Sequence, residues 1–511
     1  MFTLNKDTRL YLMTLLVGLF LGLFSPHEAN GLVWKVPPDV FSPGPNGGDF
    51  SLAADPCGNA FTAWTNNGDL FVSRFSNITQ TYGPFIPLSI GGTVADLDIA
   101  TDATGTALLV WSDITSNAIF SAYFNGTLWV IPTPFPIDIV SSGSSANPQV
   151  AMDGSGNGVA IWADTGGITP PGDIIVSFFD PTTISWGPLQ TLNPAGTGGW
   201  FPNIDLSGNG TAVAVWTDAA NNVVVSNYNG VTWSAIPQIV GINAFIFDTQ
   251  IDADGNALTL WVDLVTEEIF SSFFNGSSWS APENVSDGIG IPLGSFDFDM
   301  APNGYAIAVW ADGPAGYYSE FIGGTWTAPL AFASDVRNTT VAVDSNGNSL
   351  IVYNQTIGNG AAFSIYKPIG GPLGLPDPLG TDAETMRVVI AALSDNGRGF
   401  VDGGNFGDSN QSVVGTYTLL TIPSPLITGR TCKNNFATQS DRIHIISFVP
   451  SSDPSVFAYY LTRNGVLIAI LPATGPFFFE DHNRCRSTDV YSITAVTTCG
   501  NASTPSVVIL R

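Results

Sequence analysis

"DADGNALTLW" (252–261) opens on an acidic turn and closes on a tryptophan at the end of an apolar run. The same order of residue types returns in "DPCGNAFTAW" (55–64), "DATGTALLVW" (102–111) and "DGSGNGVAIW" (153–162). Two copies, "DLSGNGTAVAVW" (205–216) and "DMAPNGYAIAVW" (299–310), have a longer turn. "DSNGNSLIVY" (344–353) ends on Tyr, and "LSDNGRGFVDG" (393–403) is a decayed eighth copy with Gly403 in the tryptophan place. Successive anchors lie 43 to 54 residues apart.

Around each anchor the periodicity is that of strands. "PQVAM" (148–152) and "GVAIW" (158–162) are short, β-branched and separated by Asp-Gly-Ser-Gly-Asn, a turn signal. A third run follows, such as "EIFSSFF" (268–274), and then Asn-Gly at 125–126, 229–230 or 275–276, which tolerates the positive φ of a tight hairpin. A fourth run carries a second Trp and a Pro: "LWVIP" (128–132), "TWSAIP" (232–237), "SWSAP" (278–282) and "TWTAP" (325–329). Proline near the end of that run suits an outer edge strand, which needs no N–H there. Helical periodicity is absent, so the chain reads as all-β. Four strands in about 50 residues is the length of a propeller blade.

"LVWKVP" (32–37) matches the fourth run, although no copy precedes it, and the eighth copy stops after its third run, near "SVVGTYTL" (412–419). The expectation is an eight-bladed β-propeller over 32–422 whose last blade is completed by the N-terminal strand. Seven blades is the alternative if the decayed copy forms none. After a Pro-containing linker (423–430) the texture changes to a separate run of short strands over 431–511.

Residues 1–31 read as a signal peptide: Lys6 and Arg9, then the apolar "LYLMTLLVGLFLGLF" (10–24), then Ala29-Asn30-Gly31 before Leu32. No later run is long and apolar enough to cross a bilayer. The expected location is outside the cell, at its surface or in the periplasm, and the expected state is a monomer. Export permits disulfides. Cys432, Cys485 and Cys499 crowd the C-terminal end, predicting one bridge among them, with Cys57 a small buried hydrophobe.

The formal net charge is −27, and residues 32–427 contain six cations: Lys35, Arg74, Arg337, Lys367, Arg387 and Arg398. Such a surface repels phosphate backbones and so argues against nucleic acid. The histidines are His27, His444 and His482, none of them in the repeat, so a Ser-His-Asp system or a His-built zinc site is excluded there. Carboxylate pairs leave a hydrolase or lyase open as an alternative to a binding protein.

Two series are candidate ligand sites. Asp113, Asp164, Asp218, Asp263 and Asp312 stand two residues past an anchor, at the far end of the second strand. There they either ring a channel mouth, where calcium or sugar hydroxyls are possible ligands, or cap turns by accepting backbone N–H groups. Trp129, Trp233, Trp279 and Trp326 of the fourth run, with Trp186, either stack on a ligand or fill the gaps between blades. The Asp of each Asp-x-x-Gly reads as turn chemistry, because the glutamate of a calcium loop is missing.

The "FNGxxWSxP" pattern of the fourth run resembles repeats of fucose-binding propeller lectins and sialidase-like propellers. The resemblance implies sugar stacking at blade junctions, and a glycan or surface protein as partner. The arginines those sites use are scarce here. Residues 441–510, with Tyr459, Tyr460, "RNGVLIA" (463–469), Phe479-Glu480-Asp481 and "YSITAV" (491–496), resemble a fibronectin type III domain. Tyr491 stands in its corner-tyrosine place and Phe448 in that of its core tryptophan. That module implies adhesion, docking or spacing and no catalysis. The function expected is exported binding or adhesion, with a carbohydrate-active enzyme and a structural envelope scaffold as the alternatives.

Overall fold

The computed structural model describes residues 34, 39–42, 47–139, 146–164, 172–289, 296–355, 361–379, 388–405, 412–418, 424–435, 440–452, 456–482 and 488–511. The stretch read as a signal peptide and Cys485 lie outside them. Every regular element among the described residues is a β-strand.

Each repeat copy becomes one antiparallel sheet of four or five strands. The first strands are Gly47–Ala54, Val94–Thr101, Gln149–Met152, Trp200–Leu206, Ala244–Ile251, Phe296–Met300, Thr339–Val343 and Val388–Leu393, and they number the sheets one to eight. Each first strand lies beside that of the next sheet, and Val388–Leu393 lies beside Gly47–Ala54. The first strands are therefore innermost, around a common axis, in the arrangement of a β-propeller.

Sheet eight is built from both ends of this region. The decayed copy supplies Val388–Leu393, Gly399–Asn405 and Ser412–Tyr417. The outer strand is Asp39–Ser42, with Asp39 opposite Gly415 and Val40 opposite Val414. Just before it, Trp34 bridges Thr418.

The repeated residues do repeated work. In the turn after the first strand, Asp153 Oδ1 accepts the N–H groups of Ser155 and Asn157, and Oδ2 accepts Asn157 Nδ2. Asp252 and Asp344 do the same with their own turns. The glycine of the motif takes a positive φ, 89° at Gly156 and 87° at Gly255, which a side chain would strain. The anchors Trp64, Trp111, Trp162, Trp216, Trp261 and Trp310 are at most 2% exposed. Five anchors stack on an aromatic directly across the third strand: Trp64 on Phe71, Trp111 on Phe120, Trp261 on Phe270, Trp310 on Tyr317 and Tyr353 on Phe363. Such cross-strand pairs add to the area term.

The second tryptophans reach across to the preceding sheet. Trp186 Nε1 donates to Ser121 Oγ, Trp326 Nε1 to Ser271 Oγ, Trp279 Nε1 to Asn227 Oδ1, and Trp34 Nε1 to Ser364 Oγ. Trp129 stands edge-on to Phe61 of sheet one at 5.8 Å, and Trp233 is tilted on Phe178 of sheet three at 6.2 Å. Trp34 thus serves sheet eight as the other tryptophans serve theirs. Three cations also lie between sheets. Arg74 stands over Phe61 and Phe124, Lys367 Nζ meets Glu320 Oε1 at 2.6 Å, and Arg398 stands over Phe75 while Nη1 donates to Thr418 O.

The C-terminal region is a sandwich of a three-stranded sheet (Leu426–Asn435, Ser440–Val449, Phe478–Asp481) and a four-stranded one (Val466–Pro472, Val456–Arg463, Asp489–Thr497, Ser506–Leu510). Its first strand starts inside the stretch read as linker. Phe448, Tyr459 and Phe477 meet ring to ring in its core. Tyr491 is fully buried, and its hydroxyl donates to Asp481 Oδ2, which Arg463 Nη1 also reaches.

The cysteine expectation is overturned. Cys57 is bonded to Cys499 across 442 positions, and Cys432 is free. Sequence spacing misled because it reports nearness along the chain, whereas the sandwich folds back onto the turn of sheet one. Asn77 Nδ2 donates to the carbonyls of both bridged cysteines, and Asn396 Nδ2, from sheet eight, donates to Cys57 O. Asn77 itself is buried, 4% exposed.

Candidate functional site

The five candidate aspartates sit where the second strand turns into the third. Asp113 Oδ1 accepts Ser116 N and Oγ, and Oδ2 accepts Thr93 N at 3.0 Å. Asp218 Oδ1 accepts Ala220 N and Asn222 N, and its Oδ2 accepts Asn222 Nδ2. Asp263 Oδ1 accepts Val265 N and Thr266 N. Asp164 ends its strand opposite Asp173, and Asp312 ends its strand opposite Ala315. Of the candidate tryptophans, Trp129, Trp233, Trp279 and Trp326 are partly exposed at the outer margin of their sheets.

One candidate reaches a cavity. Asp263 helps to line an open pocket of about 300 Å³, with Ile239, Gly241, Trp261, Phe270 and Pro282 among its walls. It lies between the outer strand of sheet four, Gln238–Gly241, and the Trp261–Phe270 stack of sheet five. Gly241 matters: a Cβ there would come within 2.5 Å of the Trp261 ring. The rim is apolar, with Ile239 60% and Ile242 58% exposed. Asp263 Oδ2 accepts no hydrogen bond among the described residues, so the carboxylate keeps one oxygen for a ligand.

A second set of carboxylates was not singled out from the sequence. Asp96, Asp98, Asp205, Asp248, Asp297 and Asp299 all lie on innermost strands. Asp98 Oδ2 accepts Val150 N of sheet three, Asp205 Oδ2 accepts Ile251 N of sheet five, and Asp299 Oδ2 accepts Val343 N of sheet seven. An innermost strand is an edge strand, and these carboxylates satisfy N–H groups that no further strand can reach. Asp49 and Asp96 line an open cavity of about 430 Å³ of mixed polarity with Phe50, Leu97, Asn147, Gln149 and Ile390, from sheets one, two, three and eight. The signal was in the sequence: "DLDIA" (96–100) and "DFDM" (297–300) alternate acids in strands, where Asp is depleted.

Burial raises the carboxyls of Asp98, Asp205, Asp248, Asp297 and Asp299. Asp98, Asp205 and Asp297 are pushed up to about 6 and Asp299 to about 7. Asp248 is raised by burial and then by the charge of Asp297. Asp402, on the second strand of sheet eight, is pushed up to about 7 by burial and is held by Thr62 Oγ1 of sheet one. An acid whose pKa rises on folding stabilises the fold below its unfolded pKa, and that contribution is lost as pH rises through the folded value. We therefore expect a higher melting temperature at pH 5 than at pH 8, by about 1–3 kcal/mol of stability for each such carboxylate. Thermal unfolding across that range checks it, with Asp299→Asn, neutral at both ends, showing a smaller difference.

Among the described residues no group of three His, Cys, Asp or Glu side chains is placed to hold a metal ion. No helix among them is long and apolar enough to cross a membrane.

The fold and site define an all-β propeller with acidic and aromatic clefts between its sheets. No protein-family model matches the chain, and no curated protein is similar enough to count as a relative. Among solved structures it is similar to the lectin BP39L from Burkholderia pseudomallei, with a TM-score of 0.48 and 12% identity over 67% of this chain and all of that one. It is also similar to the Aleuria aurantia lectin, described as a six-bladed β-propeller with a novel mode of fucose recognition, with a TM-score of 0.36 and 13% identity over 58% of this chain and 98% of that one. A fungal alcohol oxidase with copper gives a TM-score of 0.41 and 13% identity over 94% of this chain and all of that one.

Proposed function

We propose that this chain is an exported binding protein that recognises a glycan or a surface protein through its propeller. Its eight sheets act as eight blades, and the N-terminal strand completes the last of them. The carrying observation is the cavity between sheets four and five, with aromatic walls and a carboxylate oxygen left for a ligand. Apolar walls with a few convergent polar groups are the usual make-up of a ligand site. The Cys57–Cys499 bond supports export, since such bonds persist in oxidising compartments. The sandwich, with strands one, two and five in one sheet and four, three, six and seven in the other, supports the fibronectin type III reading. In that reading it serves as a docking or spacing module, clamped to the propeller as a monomeric unit.

The test is an array of glycans and surface-protein fragments probed with the full chain, with and without calcium. The expected result is saturable binding that Asp263→Asn, which keeps an oxygen to accept the turn's N–H groups, weakens with melting unchanged. Absence of any ligand, or turnover of polysaccharides, would overturn the reading.

A further inference from the structure

The cavity beside Trp261 is open, whereas in sheets one, two and seven the chain itself supplies a ring at the corresponding stack; the Trp310–Tyr317 stack of sheet six, like that of Trp261, has no third ring among the described residues. In sheet one Trp64 stacks on Phe71, and Phe85 stands edge-on to Trp64 at 5.2 Å. In sheet two Trp111 stacks on Phe120, and Phe135 packs on Phe120 at 4.8 Å. In sheet seven Tyr353 stacks on Phe363, and Phe332 of sheet six reaches Tyr353 at 5.5 Å.

Register makes these places comparable. Val72 pairs with Ile86, Ile119 with Asp138 and Ser271 with Glu283. Counting along the strands puts Phe85, Phe135 and Pro282 in the same position. Likewise Phe332 and Val240 are the residues skipped at matching bulges in the outer strands of sheets six and four. The stack of Trp261 on Phe270 thus has Pro282 and Val240 where sister sheets supply a phenyl ring. No third ring covers it among the described residues.

The molecule shows what fits such a place: a flat aromatic ring. Charge narrows the choice. Asp263 Oδ2 is unspent, and between Arg74 and Arg337 the sequence has no Lys or Arg to attract an anion. Resting on the reading of the propeller as a binding module, we propose that this cavity takes an aromatic side chain adjoining a basic residue on a protein partner. The ring lies on the partly exposed Phe270, beside the buried Trp261, and the cation reaches the Asp263 carboxylate. Both contacts are favourable in a cleft of low polarity.

The test uses tyramine, a phenol with an ammonium group, against p-cresol, which lacks the charge, and methyl α-L-fucoside. Binding to the full chain is followed by calorimetry and ligand-observed NMR. Tyramine is expected to bind saturably and about tenfold more tightly than p-cresol. Asp263→Asn should remove that difference. Pro282→Phe and, separately, Val240→Phe should abolish binding by supplying the ring from within, with melting unchanged or raised. Equal binding of tyramine and p-cresol would overturn the proposal, as would tyramine binding that survives both phenylalanine variants. If the fucoside is the probe those variants displace, the occupant is a glycan: the proposal falls and the binding module stands. If no probe binds here and the array yields ligands for other surfaces, the outcome is the same. An array without any ligand, or turnover of polysaccharides, removes the module as well.

Discussion

Trp34→Ala should destabilise the propeller by about 3–5 kcal/mol, the range for deleting a buried large aromatic. Trp34 is 7% exposed and packs with Leu350, Val352, Leu379, Leu393 and Val401, which belong to sheets seven and eight. Its Nε1 donates to Ser364 of sheet seven, and its backbone bridges Thr418 of sheet eight. Alanine leaves a void between two sheets, strands the Ser364 hydroxyl, and loosens the outer strand Asp39–Ser42 that follows. The control is Trp233→Ala. Trp233 holds the same place in sheet four but is partly exposed, so the loss should be less than half as large. Chemical denaturation of the two variants beside the parent checks the contrast, and equal losses would contradict it.

Reducing the Cys57–Cys499 bond, or replacing Cys499 by Ser, should cost about 2–5 kcal/mol. Chain freedom and neighbouring contacts both set this cost. The bond closes a very long loop in the unfolded chain, and it fixes the sandwich to the turn of sheet one. That turn also receives Asn77 from its own sheet and Asn396 from sheet eight. Loss of the bond therefore loosens the junction of sheets one and eight as well as the tail. Melting with and without reductant measures the first effect. Faster amide exchange at 55–59 and 394–398 measures the second. A reduced chain that melts and exchanges like the oxidised one would contradict the account.

The strands were legible because each repeat states its own physics. Asp, Gly and the alternating apolar run specify a turn and a two-faced strand, and a tryptophan ends that strand where the third strand offers Phe71, Phe120, Phe270 or Tyr317. Trp34 stood out because a fourth-run pattern came without its first three; it bridges Thr418, the strand seen beside it is Asp39–Ser42, and the rest of 32–37 lies outside the described residues. What was not legible depends on distance in space. Nothing near Cys57 points to a partner 442 residues away. The inner aspartates escaped notice because a site reading looks to loops, whereas they act on strands, bridging edges of different sheets. Asp263 was readable as a candidate, but its cavity depends on Val240 and Pro282 being smaller than their counterparts. That is a comparison of sheets, visible only once register is known.

The central claim is that the two ends of the repeat region share one sheet. It is tested most directly by cysteine cross-linking of Val40→Cys with Val414→Cys, in a chain whose Cys432 and Cys485 are replaced by Ser. These positions face each other in the antiparallel pair, a spacing that a disulfide can span. The account predicts a bond within one molecule, forming under mild oxidation and joining the peptides that carry residues 40 and 414. Two free thiols after oxidation, or bonds formed only between molecules, would contradict it.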